Sequence, residues 1–346
     1  MLDYNMTTIR HLALHQVGNP QGEGDNFISN ELLELTDELH EDIKQYLLKP
    51  LKKVEERYHF QHHADVKLNE IYSYVTEIFA NPEDLHQQSV NVLKHLAQQS
   101  THPQIKPGDV YIAYFPDLVV DDEVVNAVGI FKAERKNNFL KIDPVDGTLK
   151  INKLEGANIE KLDKGCLILN TFKSDGYRVI SVDNNQYDAM YWTHYFLGIE
   201  YVEDENFHTK LYMEMCNEFA NEVVAQKENK KEQIQFLSDS VDYFSRSETF
   251  DFNEFNEEVL ADNEDLKKEF SDYRENFALE DVDQFPVSQL AFKNAKRKIK
   301  TTIKLDTNIQ IKLDMNDPGA SENFLERGYD EERGMFYYKV FFNDEQ

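Results

Sequence analysis

The spacing of apolar positions divides the chain into helical and strand-like blocks. "TIRHLALHQV", roughly Thr8 to Val17, predicts a first strand, and the Gly/Asn/Pro-rich "GNPQGEGDN" closes it. "ISNELLELTDELHEDIKQYLLKPLKKVEERY" then predicts a helix. Leu32, Leu33, Leu35, Leu39, Ile43 and Leu47 recur at spacings of three and four, and Pro50 breaks or kinks the run. Two more helices are expected, one carrying Leu68, Ile71, Val75 and Ile78 on a single stripe, the next Leu85, Val92 and Leu96.

From Gly108 the period shortens. "DVYIAYF", "AVGIFKA", "FLKID", "TLKIN", "GCLILNTF" and "YRVISVD" are β-branched or aromatic and separated by Asp/Gly/Asn turns, the pattern of a meandering, mostly antiparallel sheet. "YWTHYFL" returns to helix. A second helical block, about Asn206 to Lys300, begins as one long helix or as two with a break near Glu228. The end is β again. Ile303, Leu305, Ile309, Ile311 and Leu313 are all odd-numbered, so a three-residue hairpin loop or one long strand keeps them on one face, and a two-residue loop does not. "GMFYYKVFF", apolar on both faces apart from Lys339, reads as a central strand. The fold class expected is α+β: an N-terminal strand and helices, a central mostly antiparallel sheet, a second helical block, and C-terminal strands. An α+β domain over residues 1–200 and an acidic helical region over 201–346 are the expected divisions.

Composition narrows the function. Sixty-five acidic residues against 37 basic ones give a net charge of −28, which keeps a chain soluble and repels polyanions at long range. Aromatics at 12% are too many for a disordered acidic chain, so the acidic stretch Asp239–Asp283 is expected to pack Phe252, Phe255, Phe270, Tyr273 and Phe277 on an inner face. No apolar run is long enough to span a membrane, and the start does not read as a signal peptide. Cys166 and Cys216, far apart and outside any metal-type spacing, are expected as small buried hydrophobes in a reducing compartment.

Against this acidity one stretch stands out. Between Lys293 and Lys304 lie six cations and no anion. As a helix over Val287–Lys300, Val287, Leu290, Ala291, Phe292, Ala295 and Ile299 fall on one side. Lys293, Lys296, Arg297 and Lys300 fall on the other. Lys298 sits in the last turn, where its stem can cover apolar surface, and Lys304 carries the run onto the next strand. Such a face suits a helix C-terminus that pairs with acidic neighbours, and equally a set of phosphate contacts.

Other constellations are weaker. Pro116-Asp117 followed by Glu134-x-Lys136 has the form of a PD…(D/E)xK nuclease, in which Asp117 and Glu134 would bind Mg²⁺ and Lys136 would assist. His59, His62 and His63 lack a further zinc ligand at suitable spacing. No P-loop, dinucleotide fingerprint or G-x-S-x-G elbow occurs, so no cofactor and no metal are expected.

The ordered blocks "HQVGN", "LNEIY", "HLAQQSTHPQIKPGDVYIAYF", "AVGIFKAERKNNFLKI", "GANIEKLDKGCLILN", "YWTHYFL", "YFSRSETFDFNEF" and "RGMFYYKVFF" resemble the bacterial nucleoid-associated protein family from about Ile9 to Phe342. The resemblance implies a cytoplasmic protein recovered with the nucleoid, and it supplies no catalytic set. It turns the cationic face toward nucleic acid: Lys293, Lys296, Arg297, Lys298, Lys300 and Lys304 are the expected contacts. Two functions compete with this non-enzymatic, weak or partner-mediated DNA association. One is an acidic adaptor or DNA mimic that binds a basic DNA-processing protein through Asp239–Asp283. The other is the Mg²⁺ nuclease. Expected partners are DNA, a basic DNA-processing protein and a second copy of the chain, with no membrane.

Overall fold

The computed structural model describes residues 2–19, 24–54, 56–134, 136–185, 190–261, 263–299, 302–312, 324–342 and 344. The chain forms two compact units, Met1–Val202 and Glu203–Gln346.

In the first unit β1 (Leu2–Asp3) and β2 (His11–Val17) precede α1 (Asp37–Leu48). The helix expected from Ile28 onward starts nine residues later. Phe27 and Leu33 instead bond to the backbone of β2, Phe27 bridging Gln16 and the Leu33 amide donating to Leu12 O at 2.7 Å. Thr36 then caps the helix by accepting the Leu39 amide, and Asp37 and Glu38 fill its first turn, where carboxylates suit the helix dipole. A 3₁₀ turn at Lys49–Lys53 holds Pro50. After β3 (Tyr58–Phe60), whose first residue was expected in the preceding helix, come α2 (Glu70–Ala80) and α3 (Leu85–Gln99); Ile71, Val75 and Ile78 form the expected buried stripe, while Leu68 is exposed in a 3₁₀ turn before α2.

The long β4 (Gly108–Val120) and β5 (Glu123–Ala133) form the middle of an eight-stranded antiparallel sheet. Two strands leave it. β6 (Lys136–Val145) and β7 (Thr148–Ala157) pair only with each other, through Asp146-Gly147, both at positive φ, the turn that matches strand twist. β8 (Lys164–Leu169), β9 (Arg178–Asp183) and β10 (Ile199–Tyr201) complete the main sheet in the order β1-β4-β5-β8-β9-β3-β10, with β2 also on β4. Alternate residues of β4 explain its unbroken apolar run. Val110, Ile112 and Tyr114 face α2, α3 and the π-helical turn Tyr191–Leu197, while Tyr111, Ala113 and Phe115 face α1. A strand buried on both faces needs no polar alternation.

In the second unit α4 (Glu205–Phe219) runs through a π-helical turn into α5 (Ala225–Lys227) and stops at Glu228. Asn229 caps α6 (Lys230–Arg246), so the helical stretch is broken where expected. β11 (Thr249–Asp251), α7 (Phe252–Val259), α8 (Glu264–Tyr273), β12 (Gln284–Pro286) and α9 (Gln289–Lys296) follow. Phe252, Phe255 and Phe270 are buried with Phe219, Phe236 and Phe250, and Tyr273 and Phe277 pack against them: the acidic stretch has the aromatic inner face its composition implies. Hairpins β13 (Thr302–Lys304)–β14 (Gln310–Lys312) and β15 (Leu325–Asp330)–β16 (Met335–Val340) end the chain. The first hairpin has the three-residue loop Asp306–Asn308, the Leu305 amide donating to Ile309 O, with Ile303 opposite Ile311. Leu313 lies outside the described residues. Among the described residues β16 pairs with β15 alone, and Met335, Phe336, Tyr337 and Val340 are exposed, so it is not a central strand. Cys166 and Cys216 are free and buried.

Candidate nucleic-acid interface

The cationic segment forms at the end of α9. Ser288 caps this helix by accepting the Ala291 amide, and Ala291, Phe292 and Ala295 are buried against the aromatic core. The helix is shorter than the Val287–Lys300 expectation: Arg297 is its C-cap, and the Lys298 and Ile299 amides turn back to Ala295 O and Lys296 O. Two side chains therefore differ from the amphipathic projection. Leu290 is exposed in the first turn, and Lys298 projects beyond the last with two-thirds of its side chain in solvent.

Lys293, Lys296 and Arg297 keep their shared face, three and four residues apart. Lys293 and Arg297 are exposed, and Lys296 reaches over the Phe292 ring at 6.0 Å. Arg297 donates to Asn294 Oδ1 at 3.2 Å. Lys298 Nζ stands 3.9 Å from Glu214, the outer limit of an ion pair. Among the described residues, Lys293, Lys296, Arg297 and Lys304 meet no carboxylate within ion-pair distance. Lys300 lies outside those residues.

The run continues onto the hairpin. Ile303 and Ile311 point inward to Ile234 and Leu325, which turns Lys304 and its diagonal neighbour Lys312 to the opposite, exposed face. Lys312 was not among the residues expected from sequence. Only the strand pairing, which sets it beside Thr302 on the Lys304 face, brings it into the set.

The PD…ExK residues do not converge. Asp117 lies in the β-bulge between Phe115 and Leu118, at φ 51°, with its amide on Asn126 Oδ1. Glu134 follows Ala133, which pairs with Asp109 at the other end of β4. The eight steps of strand from Asn126 to Glu134 span about 26 Å, too far for two ligands of one Mg²⁺. Lys136 is exposed at the start of β6.

Glu134 has another role. β5, β8 and β9 align Lys132, Lys164 and Asp183 side by side, all buried or nearly so. Lys132 Nζ donates to Glu134 Oε1 at 2.9 Å and to Lys106 O at 2.7 Å, and Lys164 Nζ to Asp183 Oδ2 at 2.6 Å. Asn185 Nδ2 donates to the second Glu134 oxygen, and Asp163 accepts the Glu134 amide. The Tyr191 ring lies 5.4 and 5.8 Å from the two ammonium groups. Burial holds the Lys132 pKa below its ordinary value, with Glu134 opposing. A cavity of about 30 Å³ beside this cluster has room for about one water. The geometry is that of an internal ion network in which both ammonium groups are paired and Asn185 Oδ1 is left buried without a hydrogen-bond partner.

Among the described residues no three His, Cys, Asp or Glu side chains are grouped to hold a metal ion, and no helix is long and apolar enough to cross a membrane. No curated protein matches the chain. Residues 13–335 match the family described as nucleoid-associated protein YejK.

Proposed function

Because the chain belongs to the nucleoid-associated protein YejK family, we propose that it works at the nucleoid, in the cytoplasm, by weak and direct contact with DNA phosphates through the ridge Lys293, Lys296, Arg297, Lys298 and Lys304, with Lys312 continuing it. The observation that supports this reading is the lack of neutralisation: in a chain of net charge −28, Lys293, Arg297, Lys298 and Lys304 are exposed and Lys296 half-exposed, and among the described residues their one ion-pair contact is Lys298 with Glu214 at 3.9 Å. Contacts of this kind neutralise phosphates and displace counter-ions, so they give affinity without reading sequence. The acidic remainder limits the affinity and keeps the rest of the surface off the duplex. The role is one of binding, with no chemical step assigned.

Retention on duplex DNA at low salt should fade steeply as salt is added. Charge reversal at Lys293, Lys296 and Arg297 should abolish it with unchanged thermal unfolding. Retention equal to the parent would remove the ridge from the account.

The acidic stretch supports a second route to the nucleoid. Three of its four basic residues are engaged internally: Arg246 with Glu258, Lys267 with Glu264, Arg274 with Asp283. The remaining carboxylates of α7 and α8 would receive a basic DNA-processing protein. On this route DNA binding is absent at every salt concentration, and a basic partner co-purifies until those acids are replaced.

A further inference from the structure

The outer edge of β2 has an opening one residue long. Alternate residues of a strand turn their backbone groups to the same side. On the side away from β4, Gln16 exchanges both backbone bonds with Phe27, and Leu12 O accepts the Leu33 amide. Leu14 lies between them, so its amide and carbonyl face the same way. Among the described residues neither group has a hydrogen-bond partner. The chain between Phe27 and Leu33 is held toward α3 instead, where the Ser29 amide donates to His15 Nδ1 at 3.1 Å and His86 Nε2 donates to Ser29 O at 3.0 Å. The gap is a cleft of about 580 Å³, within the roughly 300–1,000 Å³ of ligand sites. Its walls are of two kinds. Leu14, Leu32, Leu33 and Phe27, the last 63% exposed, are apolar. Glu31, Glu34 and Asp109 bring three carboxylates, and no lysine or arginine lines the cleft with them. Gln16 Nε2 donates to Asp109 Oδ1 at 2.7 Å and fixes its direction.

We propose that this cleft receives an extended segment of another protein, one arginine or lysine of which pairs its backbone with Leu14 and sends its side chain to Asp109, Glu31 and Glu34. Register sets the direction. Leu14 stands opposite Tyr111 and Gln16 opposite Asp109, so all four project to one face. A residue paired with Leu14 projects to that face too, beside Asp109. Its methylene stem then lies on Leu14, Phe27 and Leu33 while its charge meets the carboxylates. Charge excludes an anionic ligand. The open backbone excludes a simple polyamine, because the Leu14 amide asks for an acceptor and the Leu14 carbonyl for a donor. A peptide supplies both, as in strand addition at a sheet edge. Gln16 and Leu12 bound the opening, so only one residue pair forms. With one ion contact added, the dissociation constant is roughly 0.1–1 mM. The surface lies in the first unit and uses none of the carboxylates of α7 and α8.

The probe is a dye-labelled, end-blocked five-residue peptide with arginine at its centre and threonine elsewhere. Titrated with the full chain, its fluorescence anisotropy should saturate, and amide exchange at Leu14 should slow in the complex. Glu31 and Glu34 are exposed, so Glu31→Gln with Glu34→Gln leaves the fold intact and should weaken binding at least about tenfold. Glu257→Gln with Asp265→Asn, exposed acids of α7 and α8, should leave it unchanged. N-methylation of the peptide's central amide should also weaken binding at least about tenfold, since the Leu14 carbonyl then has no donor. Absence of saturation, equal binding by the Glu31 and Glu34 variant, or equal binding of the N-methylated peptide would each overturn the proposal. Spermidine that displaces the peptide at the peptide's own concentration would make the cleft a cation site only and overturn it as well. The cationic ridge enters none of these readouts.

Discussion

His15 is the residue whose protonation the fold opposes most plainly. Its Nδ1 accepts the Ser29 amide at 3.1 Å. Ser89 Oγ, 2.8 Å from Nε2, spends its own proton on His86 O, so Nε2–H is the donor in that pair. Both ring nitrogens are thus committed in the neutral form. Burial, with His86 nearby, pushes the pKa from 6.5 down to about 4. The unfolded chain takes up a proton between those values and the folded chain does not, so stability falls as pH drops from about 6.5 toward 4, by about 3 kcal/mol in all. Urea unfolding of the parent and of His15→Gln at both ends of this window should show the smaller pH dependence in the variant. Equal slopes would contradict the assignment. Lys132 is a second such case. Lys132→Met leaves Glu134 buried without its cation and should cost about 3 kcal/mol or more in urea unfolding. Neither feature was legible in sequence. A single lysine in "AVGIFKA" and another before "GCLIL" look like strand-end charges until the pairing of β5, β8 and β9 sets them side by side.

At the scale of elements, local chemistry decided the boundaries that periodicity left open. Leu32, Leu33 and Leu35 continue the helical spacing of α1, but Thr36, Asp37 and Glu38 spell a helix start inside the run, and the residues before them bond to β2. Thr36→Ala should lower stability by about 1 kcal/mol, read as a shift in urea midpoint, through loss of the cap. Asn308 closes the β13–β14 loop at φ 61°, where a β-branched side chain is strained. Asn308→Val should destabilise the hairpin by about 1–2 kcal/mol, visible as faster amide exchange at Ile303 and Ile311. Strand patterns were legible for the long strands of the sheet but not for the short β1, β3, β10, β11 and β12 or for β15, and no strand's partners were legible. "FLKID" and "TLKIN" alternate as sheet strands do, and alternation is the same whether a strand joins the main sheet or stands in a ribbon. "GMFYYKVFF" has the composition of a central strand and pairs on one side only.

Across the whole molecule, the informative quantity is where charge is cancelled. The acidic stretch pairs three of its four cations with its own carboxylates, and the first unit pairs Lys132 with Glu134 and Lys164 with Asp183 in its interior. Among the described residues the ridge after α9 has one ion-pair contact, Lys298 with Glu214 at 3.9 Å. The α+β class was readable because long periodic segments report their own state. The cluster Lys293–Lys304 was readable because consecutive cations need no tertiary information. Their exposure and the addition of Lys312 required the packing of α9 on its aromatic core and the register of β13 on β14.

The most direct test is the salt dependence of duplex DNA binding by the parent and by the Lys293→Glu, Lys296→Glu, Arg297→Glu variant. About four phosphate contacts predict a slope of log K against log salt near −3 to −4 for the parent, collapsing toward zero in the variant. Identical slopes in the two proteins would contradict direct contact through this ridge.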